Sequence, residues 1–240
     1  MSGSMPSRPR RGGIRSNPRC GLEEKMTDFK FTLSRWVEFT LDMGCPNSCV
    51  YCPQKLLMSR YYENDGKRKS SMTLGDFKNI LENIPKEVAI DFAGMGEPLI
   101  NPEAVDMMAY AARKGHKVHL YTSLRGASPK QILRLKDLPI SSFVLHLPDG
   151  DGLMKLKVDA DYKKRLALFH SLNLPNVLYT CIGKVHSEIP GIIKVEPLET
   201  PIVSRAGTLD TNEMPEQVKL TRNFMAKTGK RLCRQPTNRR

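Results

Sequence analysis

No stretch of this chain of 240 residues approaches the roughly 20 consecutive apolar residues of a membrane-spanning helix, and no apolar run follows its arginine-rich start. Neither a membrane span nor an export signal is expected. Cysteine is sparse, with six in all, and three of those fall within eight residues, which is no disulfide framework for a chain large enough to build its own core. A reducing cytoplasm suits that usage. Aromatic residues make up only 7%, with a single tryptophan, and none interleaves the basic residues of the last segment as on a base-stacking platform. Acidic residues are outnumbered, 25 against 38 basic ones, for a formal net charge of +13.

Much of that charge lies at the ends, and its position decides its meaning. Residues 1–20 carry Arg8, Arg10, Arg11, Arg15 and Arg19 among Ser, Gly and Pro, a composition that cannot bury an apolar core and predicts disorder. The last segment holds Lys227, Lys230, Arg231, Arg234, Arg239 and Arg240, read as a solvated tail, with attraction of nucleic acid as the second reading. Three regions follow: a basic N-terminal arm over 1–30, a core over 31–210, and a C-terminal helix with a basic tail over 211–240.

Within the core, short β-rich runs alternate with segments of helical period, the pattern of an α/β protein with parallel strands joined by helical crossovers. Strands are expected at 36–41, 88–92, 117–121, 142–147, 177–182 and 192–196. Helix starts are marked by Thr73 with Asp76, by Asn101-Pro102 and by Ser128-Pro129, and Gly115 marks a stop. Further helices are expected at about 161–172 and after Pro215.

Directly after the first strand stands Cys45-Pro46-Asn47-Ser48-Cys49-Val50-Tyr51-Cys52, a Cys-x3-Cys-x2-Cys run. Three thiolates on one loop suit a four-iron cluster that keeps one iron open, and this reading is favoured over a zinc site that borrows a distant ligand such as Cys20 or Cys233. After the second strand the chain reads Ala93-Gly94-Met95-Gly96-Glu97-Pro98-Leu99, where small glycines let the backbone approach a ligand closely.

Together these two segments resemble the radical S-adenosylmethionine superfamily: Tyr51 fills the aromatic slot before the third cysteine, and Gly94–Glu97 resembles the glycine-glycine-glutamate motif that receives the methionine amino group. The resemblance implies a partial (β/α)6 barrel of TIM-like form. It also implies one [4Fe-4S] cluster held by Cys45, Cys49 and Cys52, with S-adenosyl-L-methionine bound by Tyr51, Gly94, Met95, Gly96, Glu97 and Ser123. The activity it implies is reductive cleavage of S-adenosylmethionine to a 5′-deoxyadenosyl radical, which takes hydrogen from a substrate. A reductant protein such as flavodoxin or ferredoxin is the implied partner.

Ser123, in Tyr121-Thr122-Ser123, departs from the Thr-Asn-Gly usual in relatives. Ser204-Arg205-Ala206-Gly207 and Cys233 resemble the approach to an auxiliary-cluster domain, called SPASM, which favours a peptide or a sugar- or alcohol-type substrate and makes the C-terminal segment the expected stub of that domain. With no further cysteine series, one cluster is expected. The same glycine motif also resembles the RNA adenine methyltransferases, a second functional reading, and a zinc-dependent nucleic-acid-binding module is a third, from a different class. Cys181 and Cys233 are weak candidates for hydrogen donors. His146 alternates within a strand and Asp149-Gly150-Asp151-Gly152 reads as a plain turn.

Overall fold

The computed structural model describes residues 35–63 and 70–200. Six strands form one sheet in sequence order: β1 (Trp36–Phe39), β2 (Ala89–Phe92), β3 (Val118–Thr122), β4 (Ser142–His146), β5 (Val177–Ile182) and β6 (Leu198–Thr200). Every neighbouring pair is parallel. Among the described residues β1 and β6 are the two edges, so the sheet is a partial, unclosed barrel of TIM-like α/β form.

Five helices connect the strands: α1 (Gln54–Glu63), α2 (Leu74–Leu81), α3 (Ala104–Arg113), α4 (Pro129–Arg134) and α5 (Ala160–Ser171). Alternation along each strand sends one set of side chains toward them. Phe39, Ile90, Phe92, Leu120, Phe143 and Leu145 are buried in a core shared with Phe77, Met107, Ile132, Leu166 and Phe169. Aromatic edges organise it, with Phe39 and Phe77 centroids 4.8 Å apart and Phe143 and Phe169 5.9 Å apart, both pairs edge-on. The opposite set faces the inside of the barrel.

Two helix starts form as capping boxes. Thr73 accepts from the Asp76 amide while Asp76 accepts from the Thr73 amide, and Ser128 and Gln131 repeat the reciprocal pair ahead of α4. Gly115, at φ +91°, turns the chain after α3.

Two sequence expectations need correction, and one helix was missed. The stretch 192–196 is not a strand; Ile193 is buried in the core, and the sixth strand forms at Leu198–Thr200, where its bonds to β5 hold Leu198, Glu199 and Thr200. An apolar run of this length signals burial without specifying strand geometry. Asn101-Pro102 does not cap α3, which begins at Ala104 after Glu103. Asn101 instead accepts from the Glu103 amide and donates to Ser71 Oγ and the Met72 carbonyl, tying α3's approach to the chain ahead of α2. Helix α1, directly after the cysteine run, carried no apolar stripe and was not expected from periodicity. The helix expected after Pro215 lies outside the described residues.

Ser128→Ala removes the acceptor of the Gln131 amide and leaves only the backbone amide of residue 128 bonded to Gln131 Oε1, so the domain should lose about 1 kcal/mol of stability. Urea unfolding followed by circular dichroism checks it, with an unchanged midpoint counting against the capping box.

Candidate active site

The loops that leave the C-terminal ends of β1 to β4 converge on one region. The β1 loop carries the cysteines and is folded as two turns: the Ser48 amide lies 3.5 Å from the Cys45 carbonyl, and the Cys52 amide donates to the Cys49 carbonyl at 3.0 Å. Ser48 takes a φ of +43°, a left-handed turn position that brings the chain round between the first two cysteines. Cys45, Cys49 and Cys52 are all partly exposed, unoxidised, and together line two adjoining cavities of about 690 Å³ and 320 Å³. Burial pushes the Cys45 thiol up to about 11 and the Cys49 thiol up to about 12, so both are protonated at neutral pH until a metal displaces the proton.

The β2 loop lies against this one. A single parallel bridge joins Gly44 to Gly96. The Met95 amide donates to Thr40 Oγ1 at 3.2 Å, and Gln54 Nε2 donates to the Met95 carbonyl at 3.1 Å, so the first turn of α1 also grips the glycine segment. The two glycines are dictated by this packing. Gly94 sits at φ +84°, and a Cβ there would collide with Thr40 Oγ1; a Cβ at Gly96 would stand 2.5 Å from the Asp42 carbonyl oxygen. At these two glycines the β2 loop approaches the β1 loop closely, meeting the Thr40 side chain and the Asp42 carbonyl.

Glu97 is buried and accepts four hydrogen bonds: from Thr122 Oγ1 at 2.5 Å, from the Ser123 amide at 2.7 Å and hydroxyl at 2.6 Å, and from the Leu99 amide at 3.3 Å. Burial raises its pKa above the ordinary carboxylate value, and the four donors oppose that rise. Asn47, inside the cysteine loop, donates to Ser123 Oγ at 2.8 Å. A chain of bonds thus runs from the cysteine loop through Ser123 to Glu97, and the Ser123 hydroxyl proton is engaged within the protein.

Tyr51 is buried, with its ring centroid 5.9 Å from that of His146 and its hydroxyl 3.4 Å from His146 Nε2. Burial raises its pKa. His146, at the end of β4, lines the smaller cavity with Tyr121, Val144, Thr180, Ile182 and Thr200. The strand alternation that made it look ordinary puts it on the inner face. Cys181 is placed the other way. Its thiol is fully buried in the helix-side core, pushed up to about 12 by burial, while its neighbours Thr180 and Ile182 line the cavity. A hydrogen donor must reach the substrate, and this thiol points into packed side chains. Cys20, Ser204–Gly207 and Cys233 lie outside the described residues.

The turn at 149–152 is also more than a turn. Asp149 is buried, and its carboxylate accepts the amides of Asp151, Leu153 and Met154. A buried aspartate within a Gly-Asp-Gly run carries no sequence signal separating it from an exposed one.

A parallel partial barrel here carries three thiols at its strand ends, a donor type suited to an iron–sulfur cluster. The sequence model of the radical SAM superfamily matches residues 43–187, and this chain belongs to that superfamily. No curated protein matches it. Among solved structures it is similar to BtrN in complex with AdoMet and 2-DOIA, at 17% identity over 60% of this chain and 55% of that one, TM-score 0.45. It is also similar to Streptococcus suis SuiB bound to precursor peptide SuiA, at 14% identity over 81% and 47%, TM-score 0.45, and to anSMEcpe with bound AdoMet, at 14% over 60% and 42%, TM-score 0.41. The matched part spans about half the length of those proteins. The superfamily's members are enzymes that use a [4Fe-4S] cluster and S-adenosylmethionine.

The donor set fits that cluster. Three soft thiols from one loop face a shared cavity, the donor type that iron–sulfur clusters take.

Gly96→Val forces a branched side chain into the Asp42 carbonyl, so it should displace the β1 loop and cost about 1–3 kcal/mol, as overpacking does. Iron content after reconstitution should fall together with the melting temperature. A stable variant with full iron and weakened S-adenosylmethionine binding would show instead that Gly96 clears room for the ligand.

Proposed function

We propose that Cys45, Cys49 and Cys52 hold one [4Fe-4S] cluster, and that the adjoining cavity takes S-adenosylmethionine and a substrate whose hydrogen is abstracted. When bound, the cluster and S-adenosylmethionine supply a 5′-deoxyadenosyl radical. The protein's own residues bind, orient and exclude water. The observation that carries the reading is the convergence of the three thiols with Gly94–Glu97 and Tyr51 around one cavity at the strand ends.

In this reading Gly94, Met95, Gly96 and Tyr51 present the wall against which the cosubstrate lies. Glu97 and Ser123 hold that wall in place by bonding one another, while Ser123 accepts from Asn47. The cavity's remaining lining mixes apolar Val144 and Ile182 with the hydroxyls of Thr180 and Thr200 and the imidazole of His146. That mixture suits a substrate carrying both carbon surface and hydroxyl or amide groups, in keeping with a peptide or a sugar- or alcohol-type molecule. The Ser204–Gly207 segment and Cys233 support the same class by resemblance. The electron is delivered from outside the chain by a small reductant protein such as flavodoxin or ferredoxin, and Lys55 and Lys155 border the larger cavity where an acidic donor would approach the cluster.

Replacing any one of Cys45, Cys49 or Cys52 with alanine leaves two thiolates for the cube. Each variant should lose nearly all its iron and all 5′-deoxyadenosine formation under dithionite, measured by iron and sulfide analysis and by chromatography of the products. Iron staying near about four per chain in one variant would remove that cysteine from the ligand set. Zinc in place of iron and sulfide in the wild type would select the nucleic-acid-binding module.

A further inference from the structure

The segment 149–155 follows β4 and lies across the cysteine loop. Its conformation is set from within by one side chain. Asp149 Oδ1 accepts the amides of Asp151 at 3.0 Å and Leu153 at 2.8 Å, and Oδ2 accepts the Met154 amide at 2.7 Å. Asp149 is 4% exposed, and these three donors satisfy its buried carboxyl oxygens. A backbone bridge to Val185 fixes the other side of the same residue.

What this knot shapes is the contact with the cysteine loop. The Val50 amide donates to the Leu153 carbonyl at 2.9 Å, and the Lys155 amide donates to the Asn47 carbonyl at 2.7 Å. Asn47 stands between Cys45 and Cys49, and Val50 between Cys49 and Cys52. Arg125 Nη1 donates to the Lys155 carbonyl at 2.7 Å and holds the far end of the segment to the β3 loop. The same few residues reach both cavities: Met154 lines the smaller one and Lys155 the larger.

We infer that Asp149 is a positioning residue of the cluster site: by tying the amides of residues 151, 153 and 154 it sets the strap that clamps the cysteine loop, and thereby the retention and redox environment of the cluster. The inference rests on the cluster assignment above. Because hydrogen bonding around the ligand loop tunes both affinity and potential, a slack strap loosens the metal without removing a ligand. Through Met154 the same strap joins the wall of the substrate cavity to the loop that carries the thiols, so a substrate pressing on that wall acts on the cluster loop as well.

The test is Asp149→Asn in the full chain, reconstituted anaerobically beside wild type. Asparagine keeps one acceptor oxygen and turns an NH2 group toward a backbone N–H, so part of the amide triad must break while the size is preserved. Iron release to a chelator should accelerate about 10-fold or more, and the midpoint potential should shift, since partners behind the ligands carry effects of that order. Asp106→Asn, which breaks the ion pair to Arg134 on the helical face, serves as a variant whose destabilisation is remote from the cluster. Arg125→Met slackens the strap from its other end without touching Asp149, and should speed release in the same direction if Asp149→Asn does not fold. Release and potential equal to wild type in Asp149→Asn would overturn the inference, as would a change matched by Asp106→Asn. A wild type that assembles no cluster would remove the assignment itself, and this inference with it.

Discussion

The site depends on one buried carboxylate at the junction of three loops. Glu97 brings the β2 loop to the β3 loop by accepting from Thr122, Ser123 and Leu99, and Asn47 extends the linkage from Ser123 to the cysteine loop. A charge removed from water is tolerated only when donors surround it, so this geometry is enforced from every side at once. A buried acid left without these donors would cost more than any one of the bonds contributes.

Around that centre the loops pack closely at their glycines. Gly94 and Gly96 bring the β2 loop into contact with Thr40 and Asp42, Gln54 reaches from α1 to the Met95 carbonyl, and the 149–155 strap closes over the cysteine run. The helices and sheet supply a rigid base, with Phe39, Phe77 and Phe92 filling the layer directly behind β1 and β2. In the proposed reading chemistry is left to three thiols and a cavity, and the scaffold holds them in register.

Much of this was legible in the sequence. The alternation of β runs and capped helices implied a parallel α/β sheet; the capping box formed at Thr73 with Asp76 as signalled, and Ser128 caps α4 as expected, with Gln131 as a reciprocal partner the sequence reading did not name. The cysteine spacing and the Gly94–Glu97 segment marked the site because close backbone approach and soft metal ligation each demand particular residues. Other features were hidden for physical reasons. Ile192 and Ile193 read as a strand because burial and strand formation favour the same residues, and α1 escaped because it presents no apolar stripe. His146 and Asp149 looked ordinary because their roles come from residues distant in sequence, Tyr51 for one and the cysteine loop for the other.

The central claim is that three thiols hold a cube with one iron left open to a second molecule. Electron paramagnetic resonance of the anaerobically reconstituted, dithionite-reduced protein, recorded with and without S-adenosylmethionine, addresses it most directly. The account predicts a reduced [4Fe-4S] signal whose g values change when S-adenosylmethionine binds the open iron. A signal unaffected by saturating S-adenosylmethionine, or no iron signal in a protein that retains zinc, would contradict it.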